Sequence, residues 1–299
     1  MILPPLSFCV SGRFRAAVAV LAVAFGAASP ASAKLKILAA ENVYGVVAAA
    51  IAGPAAEVSS VLSNPAQDPH EFEASAAVAR QVAAADIVVV NGVDFDPWMD
   101  RLLGASERPG RAVIRVADLV GAHGGDNPHL WYAPGTMTSF AEALTAKLVA
   151  WDAADAPAFE QREKVFAARM NEVGATIADM RKHVGGMKVA ETEPVFAPMA
   201  AALGMSMQDA RFALAVMNGT EPAAGDVAAI EDNLRGRRVR ILFHNSQVTD
   251  TASERLIGIA VAAHVPVVGI AELIPPGTDY VPWIMSELAA VRRAAGPSP

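Results

Sequence analysis

The sequence predicts an α/β protein of two lobes, each a mostly parallel sheet flanked by helices, joined by one long rigid helix. Three observations predict it. Strand-like apolar runs alternate with helical runs through residues 35–148, and again through 188–293. The runs at 86–91 and 240–245 are continuously apolar instead of alternating, as expected of parallel strands buried on both faces. Between the two halves, residues 158–184 run without proline and repeat apolar side chains at helical spacing.

The chain opens with a segment that does not belong to this fold. Arg13 and Arg15 precede an apolar run at 16–24, and Ala31-Ser32-Ala33 offers a small-residue cleavage site before Lys34. That is the layout of a secretory signal peptide, so residues 1–33 are expected to be removed on export to the periplasm. The apolar run falls short of the roughly 20 residues that span a bilayer. Cys9, the only cysteine, leaves with the leader, and the remainder then has no disulfide, no thiolate ligand and no cysteine nucleophile. Losing the two arginines moves the formal charge from −7 to −9. An acidic balance excludes nucleic acid and anionic membrane as partners and suits a soluble monomer that attracts cations.

In order, the spacing predicts a strand at 35–40 and a helix at 43–52 stopped by Gly53-Pro54. A second strand at 58–62 and a helix at 75–85 follow. The third strand, 86–91, ends at Asn91-Gly92. Helix 98–103, strand 112–116 and helix 136–148 complete an N-terminal lobe of residues 34–154. The linking helix occupies 155–186. Asp155-Ala156-Pro157 supplies a capping acid and a first-turn proline, and Phe159, Val165, Phe166, Met170, Val173, Ile177 and Met180 form one apolar face. A C-terminal lobe, 187–299, is expected to hold strands at 188–190, 240–245 and 265–270 and helices at 194–203, 227–234, 252–264 and 281–293.

The candidate chemistry lies in loops after strands, where parallel sheets place their ligands. Asp68-Pro69-His70 and Asp126-Asn127-Pro128-His129 are two Pro-His corners, in which proline presets the turn and the imidazole projects from a stiff base. Either histidine alone also fits a surface turn. Glu193 and Glu272 follow strands of the second half, and a cleft between lobes would gather all four side chains. Glu193 also fits a helix-start carboxylate, and Glu272 a solvated loop acid. His244, Asn245 and Gln247 close a strand at the presumed cleft and fit either ligand support or loop bonding. His183 and His264 read as helix-end residues. His123 lies in a glycine-rich loop, and Trp98 and Trp131 read as packing residues.

With a leader, two α/β lobes, a linking helix, Asp68-Pro69-His70 and Asn127-Pro128-His129-Leu130-Trp131, the chain resembles the metal-binding receptors of zinc and manganese ABC importers, the TroA-like family. The resemblance implies a non-enzymatic protein that carries zinc or manganese to a membrane permease. It also implies the ligand set. His70 and His129 match the first two ligands, Glu193 stands where members usually have histidine, and Glu272 stands where they usually have aspartate. The long histidine-rich loop of many zinc members is absent from 121–126. A carboxylate at 193 can bind through one or both oxygens, which suits manganese, while zinc retains the advantage in raw affinity. Two other classes are weighed against this one. A metal-dependent periplasmic enzyme would need an open coordination position and a base. A receptor for an organic solute would want an aromatic or arginine-lined cleft. N-terminal sequencing of exported protein should find Lys34 first; recovery of intact Met1 would contradict the leader.

Overall fold

The computed structural model describes residues 1–4, 34–67, 69–248 and 250–296. The expected leader from residue 5 onward, its cleavage site and Asp68 lie outside the described residues. The chain divides into two units, Met1–Ala33 and Lys34–Pro299, and only the second is considered below.

Two parallel four-stranded sheets, each flanked by helices, form the frame. The first contains β1 (Leu35–Glu41), β2 (Ala56–Leu62), β3 (Ile87–Val90) and β4 (Ala112–Arg115) in the order β2-β1-β3-β4. The second contains β5 (Lys188–Glu191), β6 (Ser206–Met207), β7 (Leu242–Asn245) and β8 (Val267–Ile270) in the order β6-β5-β7-β8. The topology is therefore the same in both halves. In each, the chain leaves the first strand to one side and returns on the other, opening a crevice at the carboxyl ends of the central pair. β3 is buried along its whole length, as its unbroken Ile87-Val88-Val89-Val90 run requires.

The first sheet carries α1 (Asn42–Ala52), α2 (Ala76–Ala84), α3 (Pro97–Ala105), α4 (Val116–Val120) and α5 (Thr136–Trp151). The linking helix α6 (Ala156–Val184) is 29 residues long, roughly 44 Å at the usual rise. The second sheet carries α7 (Ala197–Ala202), α8 (Ala210–Met217), α9 (Ala224–Arg235), α10 (Thr251–Ala262) and α11 (Tyr280–Ala295). The short α4, β6 and α8 have no counterpart in the sequence reading. α7 starts three residues later than predicted, because Glu193-Pro194-Val195 makes a turn closed by Val195 N–H on the Glu193 carbonyl (2.8 Å). β8 starts after Pro266, which has no N–H to give a ladder.

α6 buries Phe159, Phe166, Val173, Ile177, Met180 and Val184, and these join a core shared by both sheets. Val165, expected on that face, is 53% exposed; it precedes Phe166 and is turned about 100° away from it. Asp155 stands at the helix start but caps nothing with its side chain. Asp152 Oδ1 instead accepts from the N–H groups of Ala154 and Asp155.

Arg162 ties α6 to the first lobe. The last carbonyls of a helix lack internal partners, and Arg162 donates Nε to the Ile51 carbonyl (2.6 Å) and a terminal nitrogen to the Ala52 carbonyl (3.0 Å) at the end of α1. Gly53 follows with φ +59, and a Cβ there would meet the guanidinium at 2.9 Å. Arg162→Ala should therefore cost about 2 kcal/mol, the scale of losing charge-assisted bonds to otherwise unsatisfied carbonyls. Urea unfolding of the metal-free protein checks this, and an unchanged midpoint would contradict it.

Candidate metal centre

The first Pro-His corner is a short 3-10 turn, Pro69–Glu71. Pro69 is buried, and Phe72 packs on Trp98 with ring centroids 4.6 Å apart, so the turn is pinned on both sides of His70. The second corner hangs from the end of β3. Asn91 Nδ2 donates to the Pro128 carbonyl (2.9 Å), while the Tyr44 hydroxyl donates to Asn91 Oδ1. Asp96 accepts from the N–H groups of Asn91 and Gly92 and closes the same loop.

Asn127 orients His129. Its Nδ2 donates to the Pro194 carbonyl at 2.6 Å, so its Oδ1 is the end left to accept from His129 Nδ1 at 2.9 Å. Nε2 of His129 is thereby aimed at Glu272 Oε1, also at 2.9 Å. Fixing one ring nitrogen to present the other is how ligating histidines are held.

The carboxylates come from the second sheet. Glu193 lies just beyond β5 and Glu272 just beyond β8. Gln247 Oε1 accepts from the N–H groups of Glu272 and Leu273, and its Nε2 donates to the Pro65 carbonyl of the first lobe at 2.9 Å. Asn42, the first residue of α1, bonds both the N–H and the carbonyl of Ile274. Leu273 packs into the first-lobe cluster of Leu38, Leu62, Val88 and Trp98. The Glu272 loop is thus clamped by both lobes.

His70, His129 and Glu272 converge, and Glu193 reaches this group beside His70. His70 Nε2 lies 3.1 Å from Glu193 Oε1 and 3.2 Å from Glu272 Oε1. Donor atoms of His70, His129 and Glu272 all lie within 4.8 Å of one another, a His/His/carboxylate group able to hold a metal ion. His129 and Glu272 are wholly buried and Glu193 nearly so, while the His70 side chain is 25% exposed. His70 also borders an open cavity of about 500 Å³ lined by Asp94, Phe95, Asp126 and Glu191 among others. Phe95 and Trp131 pack edge-on against the imidazoles.

The structure also sorts the weaker candidates. Asn245 Nδ2 donates to Glu193 Oε2 (2.6 Å) and Glu272 Oε2 (2.8 Å), so Asn245 and Gln247 both support the acids. His244 packs against Gly269, on the other side of β7 from Asn245. His183 bonds the Asp179 carbonyl within α6, and His264 ends α10 at φ +55. His123 donates its backbone N–H to Asp126 in an exposed loop. Glu191, at the end of β5, also lies near the start of α7, where the backbone N–H groups of Phe196 and Ala197 favour its charged form against burial. Asn42, Asn91 and Asn127 went unassigned in the sequence, where an asparagine in a loop signals only a turn.

Residues 37–294 match the family described as zinc-uptake complex component A, periplasmic (ZnuA). Among similar proteins, the manganese ABC transporter substrate-binding lipoprotein PsaA of Streptococcus mitis is 22% identical over 286 residues, covering 89% of this chain and 91% of that one. The periplasmic zinc-binding protein TroA from Treponema pallidum superposes with a TM-score of 0.76 at 17% identity, covering 89% and 100% of the two chains. The solute-binding protein FpvC from Pseudomonas aeruginosa, in complex with Mn2+, gives 0.70 at 22% identity over 88% and 98%.

The two acids control the charge of His70. Burial works against its protonation, yet hydrogen bonds and charge from Glu193 and Glu272 outweigh it and push its pKa up from 6.5 to about 10. Burial likewise works against ionised Glu272, but its bonds to His129 and His70 hold it well below the usual carboxylate range. In the metal-free protein a proton therefore occupies the place of a cation. This raised pKa stabilises the metal-free fold below the ordinary histidine value, and the contribution is lost as pH rises through about 10. Metal must displace that proton. Calorimetry at pH near 7.5 in buffers of different ionisation enthalpy should show release of about one proton per ion from His70, and affinity should keep rising above pH 7. A pH-independent affinity above about 6.5, the ordinary histidine value, would contradict the assignment.

Proposed function

The chain belongs to the periplasmic zinc-uptake component A family, and from that premise we propose that it captures zinc or manganese at His70, His129, Glu193 and Glu272 and delivers it to the permease of an ABC importer. Members of this family are metal-binding solute-binding components of ABC importers, so an enzymatic role falls away. The observation that supports the ligand assignment is the meeting of two imidazole nitrogens with Glu272 Oε1 from the opposite lobe, to which Glu193 adds an oxygen beside His70. Glu272 Oε1 lies within 3.2 Å of both histidines, and Glu193 Oε1 within 3.1 Å of one. Two neutral imidazoles and two carboxylates balance the charge of a divalent ion.

The remaining parts of the reading have separate support. Export through a cleaved leader rests on Arg13, Arg15, the apolar run and Ala31-Ser32-Ala33. Among the described residues no helix is long and apolar enough to cross a membrane. The protein works as a monomer of two lobes, residues 34–154 and 187–299, joined through 155–186. The permease is then the partner that receives the ion.

Mixed imidazole and carboxylate donors admit both zinc and manganese, and the general affinity order places zinc ahead. Glu193→His should widen the zinc advantage, because it adds a softer nitrogen donor. Glu193→Ala should weaken both metals, each at least about tenfold, or 1.4 kcal/mol. Competition titration of zinc and manganese on the parent and both variants at one pH tests this. Identical affinities and ratios in all three would remove Glu193 from the ligand set.

A further inference from the structure

Asn245 ends β7, is 3% exposed, and faces both acids at once. Its Nδ2 donates to Glu193 Oε2 at 2.6 Å and to Glu272 Oε2 at 2.8 Å. Its Oδ1 accepts from the N–H of Gln247 at 3.0 Å. That last bond fixes the direction of the amide, since a flipped amide would set an oxygen against two carboxylate oxygens. An amide nitrogen carries two hydrogens, and here each has its own acceptor. Every carboxylate thus has one oxygen committed to Asn245 and one, Oε1, turned toward the imidazoles.

We propose that Asn245 sets the metal preference of the site by holding Glu193 and Glu272 as one-oxygen ligands. The inference rests on the ligand set proposed above and concerns how many donors that set supplies. With both Oε2 atoms occupied, the protein offers four: Nε2 of His70, Nε2 of His129, and Oε1 of each glutamate. A closed four-donor set suits zinc, which is content with tetrahedral geometry. Manganese favours octahedral, oxygen-rich surroundings and would draw on a second glutamate oxygen. To bring its second oxygen onto the ion, a glutamate would have to turn, which bends or breaks its charge-assisted bond to a buried amide. The abandoned N–H would then lie unpaired away from water, which is unfavourable. The ability of a carboxylate to bind through both oxygens is therefore suppressed here by its neighbour. Asn245 does not touch the ion; it is a positioning residue that acts through the two acids.

The test combines two readouts. Zinc and manganese affinities are measured by competition on the native protein and on Asn245→Ala, and the manganese-loaded native protein is crystallised. Removing the partner behind a metal ligand typically costs roughly 10–100-fold in affinity. Asn245→Ala should lose zinc affinity on that scale while manganese loses less, so that the zinc-to-manganese ratio falls by at least about tenfold. In the manganese crystal both Oε2 atoms should stay on Asn245. Equal losses for the two metals would overturn the proposal, because a purely structural role weakens both alike. So would a native manganese complex in which either glutamate binds through both oxygens, and that result decides the matter alone if the variant fails to fold. A native protein that holds neither metal one-to-one would overturn the receptor reading itself, and this inference with it.

Discussion

A single buried anion organises the cleft. Glu272 is wholly buried, and an unpartnered carboxylate in such a place would be strongly unfavourable. It is held because three side chains reach it from different parts of the chain: His70 and His129 on first-lobe corners, and Asn245 at the end of β7. Its backbone is held as well, through Gln247 and, two residues on, Asn42. Removing any of these leaves a buried charge short of a partner, so the corners, the clamps and the acid stand or fall together. A cation entering the site takes over the role that the His70 proton plays in its absence.

The repeated sheet order brings these parts within reach of one another. In each half the central pair of strands ends in the same crevice, and the functional side chains sit on the loops that leave it. The correspondence extends to two acids outside the ligand set. Glu41 ends β1 and Glu191 ends β5, both are buried, and burial pushes both carboxyl pKa values well up. Burial favours the neutral form of both, which works against extra negative charge at the strand ends. Among the described residues neither carboxyl oxygen of Glu41 has a hydrogen-bond partner.

The two lobes are joined by more than a linker. The buried face of α6 belongs to a core that runs through both sheets, and Phe166 packs beside Tyr280 of the second half. Around the site, polar ties cross the cleft at Asn127 to Pro194, Tyr132 to Ala271, Tyr280 to Trp131 and Gln247 to Pro65. A helix of this length resists bending, and these ties fix the distance between the histidine corners and the carboxylates.

The sequence by itself determined what is local. Apolar periodicity marked the long strands and helices, proline and glycine marked their ends, and Pro-His corners and strand-end acids marked His70, His129, Glu193 and Glu272. These signals are readable because each depends on neighbours within a turn or two. Short elements such as β6 and α8 escaped because two to eight residues hold too little pattern to separate them from loop. The tertiary structure alone decided which atoms meet. In the sequence, Asn245 and Gln247 fit either ligand support or loop bonding. Only the fold puts the Asn245 amide against acids 52 and 27 residues away. It also fixes Glu272 as a buried anion instead of a solvated loop acid. Such roles depend on direction and burial, and these are set when the two sheets close on one core.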